Sequence, residues 1–163
     1  LNFEPTDLAA LVRSCLEPLA SQAGASGVEL RVGVMGSVPR IIVDREKIGW
    51  VVVTLVGSAL RYVAQHSEVV RGGATTGSII VQVSHEPMTN EIAIAVHDDG
   101  PGVPADKLPH LFVRRASSLH ADGLALSLVR DVVGAHDGRI EVETCSERDE
   151  HGTSVTFRLP AVR

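Results

Sequence analysis

Apolar and polar positions recur along this chain with two periods, and the switches between them mark out its elements. Leu8, Leu11, Val12, Cys15, Leu16 and Leu19 repeat at helical spacing after Thr6-Asp7, which predicts a capped amphipathic helix ending near Gly24. Two short strands follow over 28–34 and 40–43. Asp44 then reads as the N-cap of a second helix running to about Gln65, with Glu46 in its first turn. Val51-Val52-Val53-Thr54 alone favours a strand; the length of the segment and the Asp44 cap decide for helix. Residues 77–85 and 91–96 alternate and are joined by Glu86-Pro87-Met88-Thr89-Asn90, the pattern of an antiparallel hairpin. Residues 103–122 carry Pro104, Pro109, Arg114 and Arg115 without a strong period and read as a long loop of lid length. A helix over 123–136, closed by Asp137-Gly138, and strands over 139–144 and 154–159 complete the chain. With no internal repeat or second domain visible, residues 1–163 read as one α+β domain. The architecture expected is a two-layer sandwich: a mainly antiparallel sheet of about five strands with about three helices on one face.

Composition narrows the class. Hydrophobic residues make up 44% and charged residues 21% of the 163, but aromatics only 3%, so Val, Leu, Ile and Ala must build the core. A net charge of -5 and the lack of a long Lys/Arg run argue against nucleic acid as a partner. Cys15 and Cys145 show neither CxxC nor Cys/His metal spacing, so reduced thiols and a reducing, cytoplasmic setting are expected. The longest apolar stretch, Ile48 to Leu60, has about 13 residues, short of the roughly 20 that span a bilayer. No signal peptide is visible either, and membrane attachment is expected only outside this chain.

The candidate chemistry lies in Val96-His97-Asp98-Asp99-Gly100-Pro101-Gly102-Val103, which follows the apolar run from Ile92. A carboxylate at the end of a buried strand, here Asp98, is placed to accept a hydrogen bond from an exocyclic amino group such as adenine's. Burial makes that bond selective, because an unpaired carboxylate is costly. Gly100 and Gly102 permit close backbone approach to a flat ligand, and Pro101 stiffens the turn. Taken alone, the segment is equally a turn between two elements.

Its company resolves that choice by resemblance. The chain resembles the ATP-binding catalytic domain of bacterial sensor histidine kinases, the Bergerat fold shared with gyrase, Hsp90 and MutL. Phe3-Glu4-Pro5-Thr6-Asp7-Leu8 is similar to the segment that follows the dimerisation hairpin in such kinases. Asp44-Arg45-Glu46-Lys47-Ile48 with Thr54-Leu55-Val56-Gly57-Ser58-Ala59-Leu60-Arg61-Tyr62 resembles the asparagine box, NLLxNAxKY. DDGPG resembles the first glycine box, Leu111-Phe112 the start of the phenylalanine box, Gly123-Leu124-Ala125-Leu126 the second glycine box, and Gly152-Thr153 the last. The resemblance implies that Asp98 reads adenine, that Gly100 and Gly102 lie against the base, and that residues 103–122 form the ATP lid. It implies phosphate contacts from Arg61 and from the amides of Gly123 and Leu124 at a helix N-terminus. Tyr62 then stands beside the nucleotide and Thr153 near the adenine pocket. Ser58 falls on the magnesium-holding asparagine, and Thr54 on the earlier asparagine of that box, which makes the pair the catalytic candidates.

Several positions depart from the family pattern. Ser58 offers a shorter and weaker oxygen donor than asparagine to Mg2+, which demands near-octahedral geometry. Ala121 and Ala125 stand where the second glycine box has glycines, and Arg114 and Arg115 where a second aromatic is expected. Ser58 bonding back to its own helical turn and Arg61 as a solvated charge are the plain alternatives. Two functions therefore stand. One is the catalytic domain of a histidine kinase that passes the ATP γ-phosphoryl group to a histidine on upstream dimerisation helices, and thence to a response regulator, within a homodimer. The other is a degenerate pseudokinase that binds nucleotide weakly or not at all and controls a partner kinase or regulator. His66, His85, His97, His110, His120, His136 and His151 lack an H-E-x-x-T-P-like context, so none is the expected phosphoacceptor. His136 is expected simply to end its helix.

Overall fold

The computed structural model describes residues 1–66, 77–99, 121–146 and 151–161. Strand β1 (Phe3–Thr6) leads into α1 (Leu8–Ala25), β2 (Val28–Met35), β3 (Ile41–Asp44) and α2 (Arg45–His66). After the hairpin of β4 (Gly77–Glu86) and β5 (Glu91–Asp98) come α3 (Ala121–Ala135), β6 (Arg139–Ser146) and β7 (His151–Pro160). The main sheet has five strands in the order β2-β4-β5-β7-β6. Only β2 and β4 pair in parallel; β4–β5, β5–β7 and β6–β7 are antiparallel. The expected two-layer α+β sandwich is what forms.

Period-2 burial sorts the two faces of that sheet. Ile79, Val81 and Val83 of β4, Ile92, Ile94 and Val96 of β5, and Phe157 and Leu159 of β7 are buried and share one face. They join Leu8, Val12 and Leu16 of α1, Ile48, Val52 and Leu60 of α2, and Val129 and Val133 of α3 in one core. Each helix follows its sequence signal. Asp7 caps α1 by accepting from the Ala10 N–H at 3.1 Å, and Asp44 caps α2 by accepting from the Lys47 N–H at 3.0 Å. The valine run 51–53 is helical, because Val51 and Val52 are fully buried within a segment that the cap has already started.

The structure corrects the expected layout in three places. The strand expected over 40–43 runs Ile41–Asp44 and does not join the main sheet; it pairs antiparallel with β1 in a separate two-stranded sheet. No strand was expected at Phe3–Thr6, where Phe3, Glu4 and Pro5 are exposed and leave no period-2 signal. The helix expected from Gly123 starts at Ala121, and it closes at Asp137-Gly138 as expected, with Asp137 left-handed at φ 58°. Residues 100–120, and with them Gly100, Gly102 and nearly all of the expected lid, lie outside the described residues.

Candidate functional site

Asp98 closes β5 at one end of the sheet, opposite Ile79 of β4 and Thr153 of β7. It is half-buried and continues the row of Ile92, Ile94 and Val96, which points it toward the helical layer. Thr153, its cross-strand neighbour, is buried. Gly152 sits against the same strand end: a Cβ there would collide with the Asp98 carbonyl oxygen. That collision explains a glycine before Thr153, since only a residue without a side chain lets β7 lie this close to Asp98.

The neighbouring carboxylate does a different job. Asp99 accepts from the Ser78 N–H at 2.8 Å and from the Ser78 hydroxyl at 3.3 Å, while its own N–H donates to the Ser78 carbonyl at 3.3 Å. Asp99 thus ties the end of β5 to the start of β4. Of the two adjacent acids, one fastens the sheet and the other points toward the helical layer, a division that the sequence DD does not display.

Helix α2 supplies the facing wall. Thr54, Ser58, Arg61 and Tyr62 fall within one stripe at helical spacing. Thr54, Ser58 and Tyr62 are half-buried, whereas Arg61 is exposed, with its guanidinium beside Gly57. Tyr62 reaches the Asp98 end: burial, and then the Asp98 charge, push its phenol above the ordinary tyrosine value. Asp98, Tyr62, Gly152 and Thr153 therefore come together across three elements. Gly123 and Leu124 lie in the first turn of α3, where backbone N–H groups lack helical partners.

The donor set can be compared with the groups it would hold. A half-buried carboxylate, a buried threonine hydroxyl and an aromatic ring around a close backbone approach fit a planar base with an amino group. Among the described residues no group of three His, Cys, Asp or Glu is placed to hold a metal ion. Ser58 and Thr54 offer hydroxyls only, a set that suits a magnesium ion carried mainly by phosphate oxygens rather than by the protein.

Sequence reasoning missed a contact at the opposite end. His136 is buried just past α3; its Nε2 accepts the Asp44 N–H at 3.0 Å, and its Nδ1 lies 2.8 Å from the Val132 carbonyl oxygen. Phe3 of β1 packs edge-on against this ring with centroids 5.2 Å apart. The Asp44 carboxylate also accepts the Asn2 N–H at 2.9 Å. The bonds from Asn2 and from Lys47 hold it below the ordinary carboxylate range. Asp44 and His136 are too far apart in sequence for any spacing to have revealed the contact.

Comparison with known proteins identifies the family. Residues 43–163 match the family described as histidine kinase-, DNA gyrase B- and HSP90-like ATPase. The adaptive-response sensory kinase SasA of Synechocystis sp. is 28% identical over 168 residues, covering 100% of this chain and 40% of that protein. The sensory histidine kinase/phosphatase NtrB of Rhizobium leguminosarum bv. phaseoli is 31% identical over 146 residues, covering 86% of this chain and 37% of that protein. The chain thus spans well under half of these relatives. The catalytic domain of histidine kinase ThkA superposes with a TM-score of 0.82 at 20% identity, with 100% of each chain covered. With the family match covering most of its length, the chain belongs to the histidine kinase-, DNA gyrase B- and HSP90-like ATPases and is homologous to the catalytic domains of sensor histidine kinases.

Proposed function

We propose that this domain binds ATP at the Asp98 end of the sheet and serves as the catalytic domain of a sensor histidine kinase. In that role the γ-phosphoryl group passes to a histidine on dimerisation helices elsewhere in the same protein, and then to a response regulator. The observation that carries the reading is the convergence of Asp98, Tyr62, Gly152 and Thr153, with Asp99 diverted to Ser78. Asp98 accepts the adenine amino group, Thr153 lies beside it, and Tyr62 borders the base. Gly100 and Gly102, which lie outside the described residues, are assigned to the base by the motif they belong to. Arg61 and the amides of Gly123 and Leu124 face phosphate, and Ser58, with Thr54 one turn earlier, meets the magnesium ion that ATP brings. ATP supplies the transferable phosphoryl group; the protein's contribution is to position it and offset its charge. Two fold neighbours support the two halves of this reading: ShkA was crystallised with AMPPNP, and ThkA with the response regulator protein TrrA.

Calorimetric titration with ATP and ADP, each with and without magnesium, tests the proposal. Binding that strengthens with magnesium supports a working kinase domain. Binding indifferent to magnesium removes Ser58 from the metal and favours a nucleotide-sensing pseudokinase, and no binding overturns the nucleotide reading.

A further inference from the structure

The contact at the far end of the molecule has a consequence for the site. Helix α3 packs on α2, and its C-terminal end meets the N-terminal end of α2 through His136 and Asp44. It therefore begins toward the half of α2 that carries Ser58 and Tyr62. At about 1.5 Å per residue, Gly123 stands roughly 20 Å from His136, and the same distance along α2 from Asp44 reaches about Gly57 and Ser58.

The apolar side chains that α3 buries in the core, Leu126, Val129 and Val133, are aliphatic and flank the buried Ser127. Aliphatic contacts are nondirectional and do not by themselves fix the axial position of a helix. A hydrogen bond has a direction, and His136 has no spare ring nitrogen. The Val132 carbonyl only accepts, so Nδ1 donates to it, and Nε2 is left as the acceptor for Asp44 N–H. Because the Asp44 N–H belongs to the residue that caps α2, the bond joins the end of one helix to the start of the other.

We infer that His136 is a positioning residue: it pins the axial register of α3 against α2 and so sets where the first-turn amides of α3, at Gly123 and Leu124, stand relative to the α2 stripe. Its effect on nucleotide rests on the proposed ATP site, while the pin itself does not. The entry strand reaches the same pin through the Phe3 ring and through the Asn2 N–H on Asp44, so a shift of the chain before Phe3 is felt at α3.

The test compares wild type with His136→Phe, which keeps a ring against Phe3 but removes the acceptor, and with His136→Gln, whose amide oxygen restores one. Val28→Ala, a buried truncation in β2 remote from the pin, serves as the control for lost stability. Affinities for ATP and for adenosine are measured with amide exchange at residues 123–126. The expected result for His136→Phe is ATP binding weaker by about five-fold, the size of one hydrogen bond. Adenosine binding stays unchanged, exchange at 123–126 is faster than in Val28→Ala, and His136→Gln largely restores both. Equal exchange and equal ATP affinity in His136→Phe and Val28→Ala would overturn the pin. If wild type binds neither ATP nor adenosine, the nucleotide reading fails separately and the exchange comparison decides the pin by itself. Should His136→Phe not fold, His136→Asn, too short to reach Asp44, gives the same contrast with His136→Gln.

Discussion

The two ends of the main sheet are held by different chemistry. At the end where β4 and β5 meet, Glu86 of β4 pairs with Arg158 of β7, whose Nε also lies 3.3 Å from Glu141 of β6. Arg139 continues the chain of charges to Glu141 at 3.1 Å and to Glu91 of β5 at 2.6 Å. The buried Asp44–His136 contact lies toward the same end, where α3 runs out into β6. At the other end Asp98 lies opposite Thr153 and close to Tyr62, and the Asp99–Ser78 bonds tie β5 to β4. One end is cross-linked by a chain of charges running through β4, β5, β6 and β7, and the other holds the half-buried Asp98 beside Tyr62 and the buried Thr153. The proposed nucleotide site falls at the Asp98 end, and functional elements are commonly drawn from the less rigidly cross-linked part of a fold.

The sharpest way to break this contrast is Asp98→Asn. It should weaken ATP binding on the order of 100-fold, as expected for loss of a charged, half-buried hydrogen-bond acceptor, while the melting temperature barely moves. A large stability loss with intact binding would make Asp98 structural. Gly152→Ala should do both kinds of damage, costing about 1–3 kcal/mol through its clash with the Asp98 backbone and lowering ATP affinity in the folded fraction. Denaturant unfolding and nucleotide titration read the two effects separately.

At the anchored end, Asp44→Ala should cost about 1 kcal/mol or somewhat more, since the α2 cap and the Asn2 contact go together. The carboxyl of Asp44 is depressed in the folded protein, so its contribution is complete above about pH 5 and is lost as the pH falls below about 4. Asp44→Asn should flatten that acid limb in a series of melting curves. Glu141, held low first by its hydrogen bond to Arg139, adds to the same limb only weakly because it is exposed to solvent. Arg139→Ala is accordingly the smallest expected effect, a shift of the melting temperature near the limit of detection that fades with added salt. A larger, salt-independent loss would show that the charge chain is more than a surface network.

Tyr62 offers a probe inside the site, because it is the only tyrosine of the 163 residues. Ultraviolet titration of its phenolate should start above the ordinary range, and Asp98→Asn should move it down by removing the nearby negative charge. An unchanged titration would separate the two side chains and dissolve the facing wall of the pocket.

Much of this was legible in the sequence because local signals agreed with the final packing. The helical spacing of Leu8, Leu11, Val12 and Leu16, the caps Asp7 and Asp44, and the alternation through β4 and β5 each specify their element within a few residues. Asp98, Gly152 and Thr153 were found through motif order, and the structure sets them side by side. What escaped depends on partners distant in sequence. Strand β1 exists because β3 pairs with it, and its own residues are exposed and include Pro5. His136 gained its role from Asp44, and Asp99 differs from Asp98 only because Ser78 lies under it. None of these three can be read from a local period.

The central claim, that Asp98 reads the amino group of adenine, is tested most directly by comparing ATP with inosine triphosphate, which carries a carbonyl in place of that group. Affinities are measured for wild type and for Asp98→Asn. The account expects wild type to prefer ATP by on the order of 100-fold, and the preference to collapse in the variant. Equal affinity of wild type for the two nucleotides, or an undiminished preference in Asp98→Asn, would contradict it.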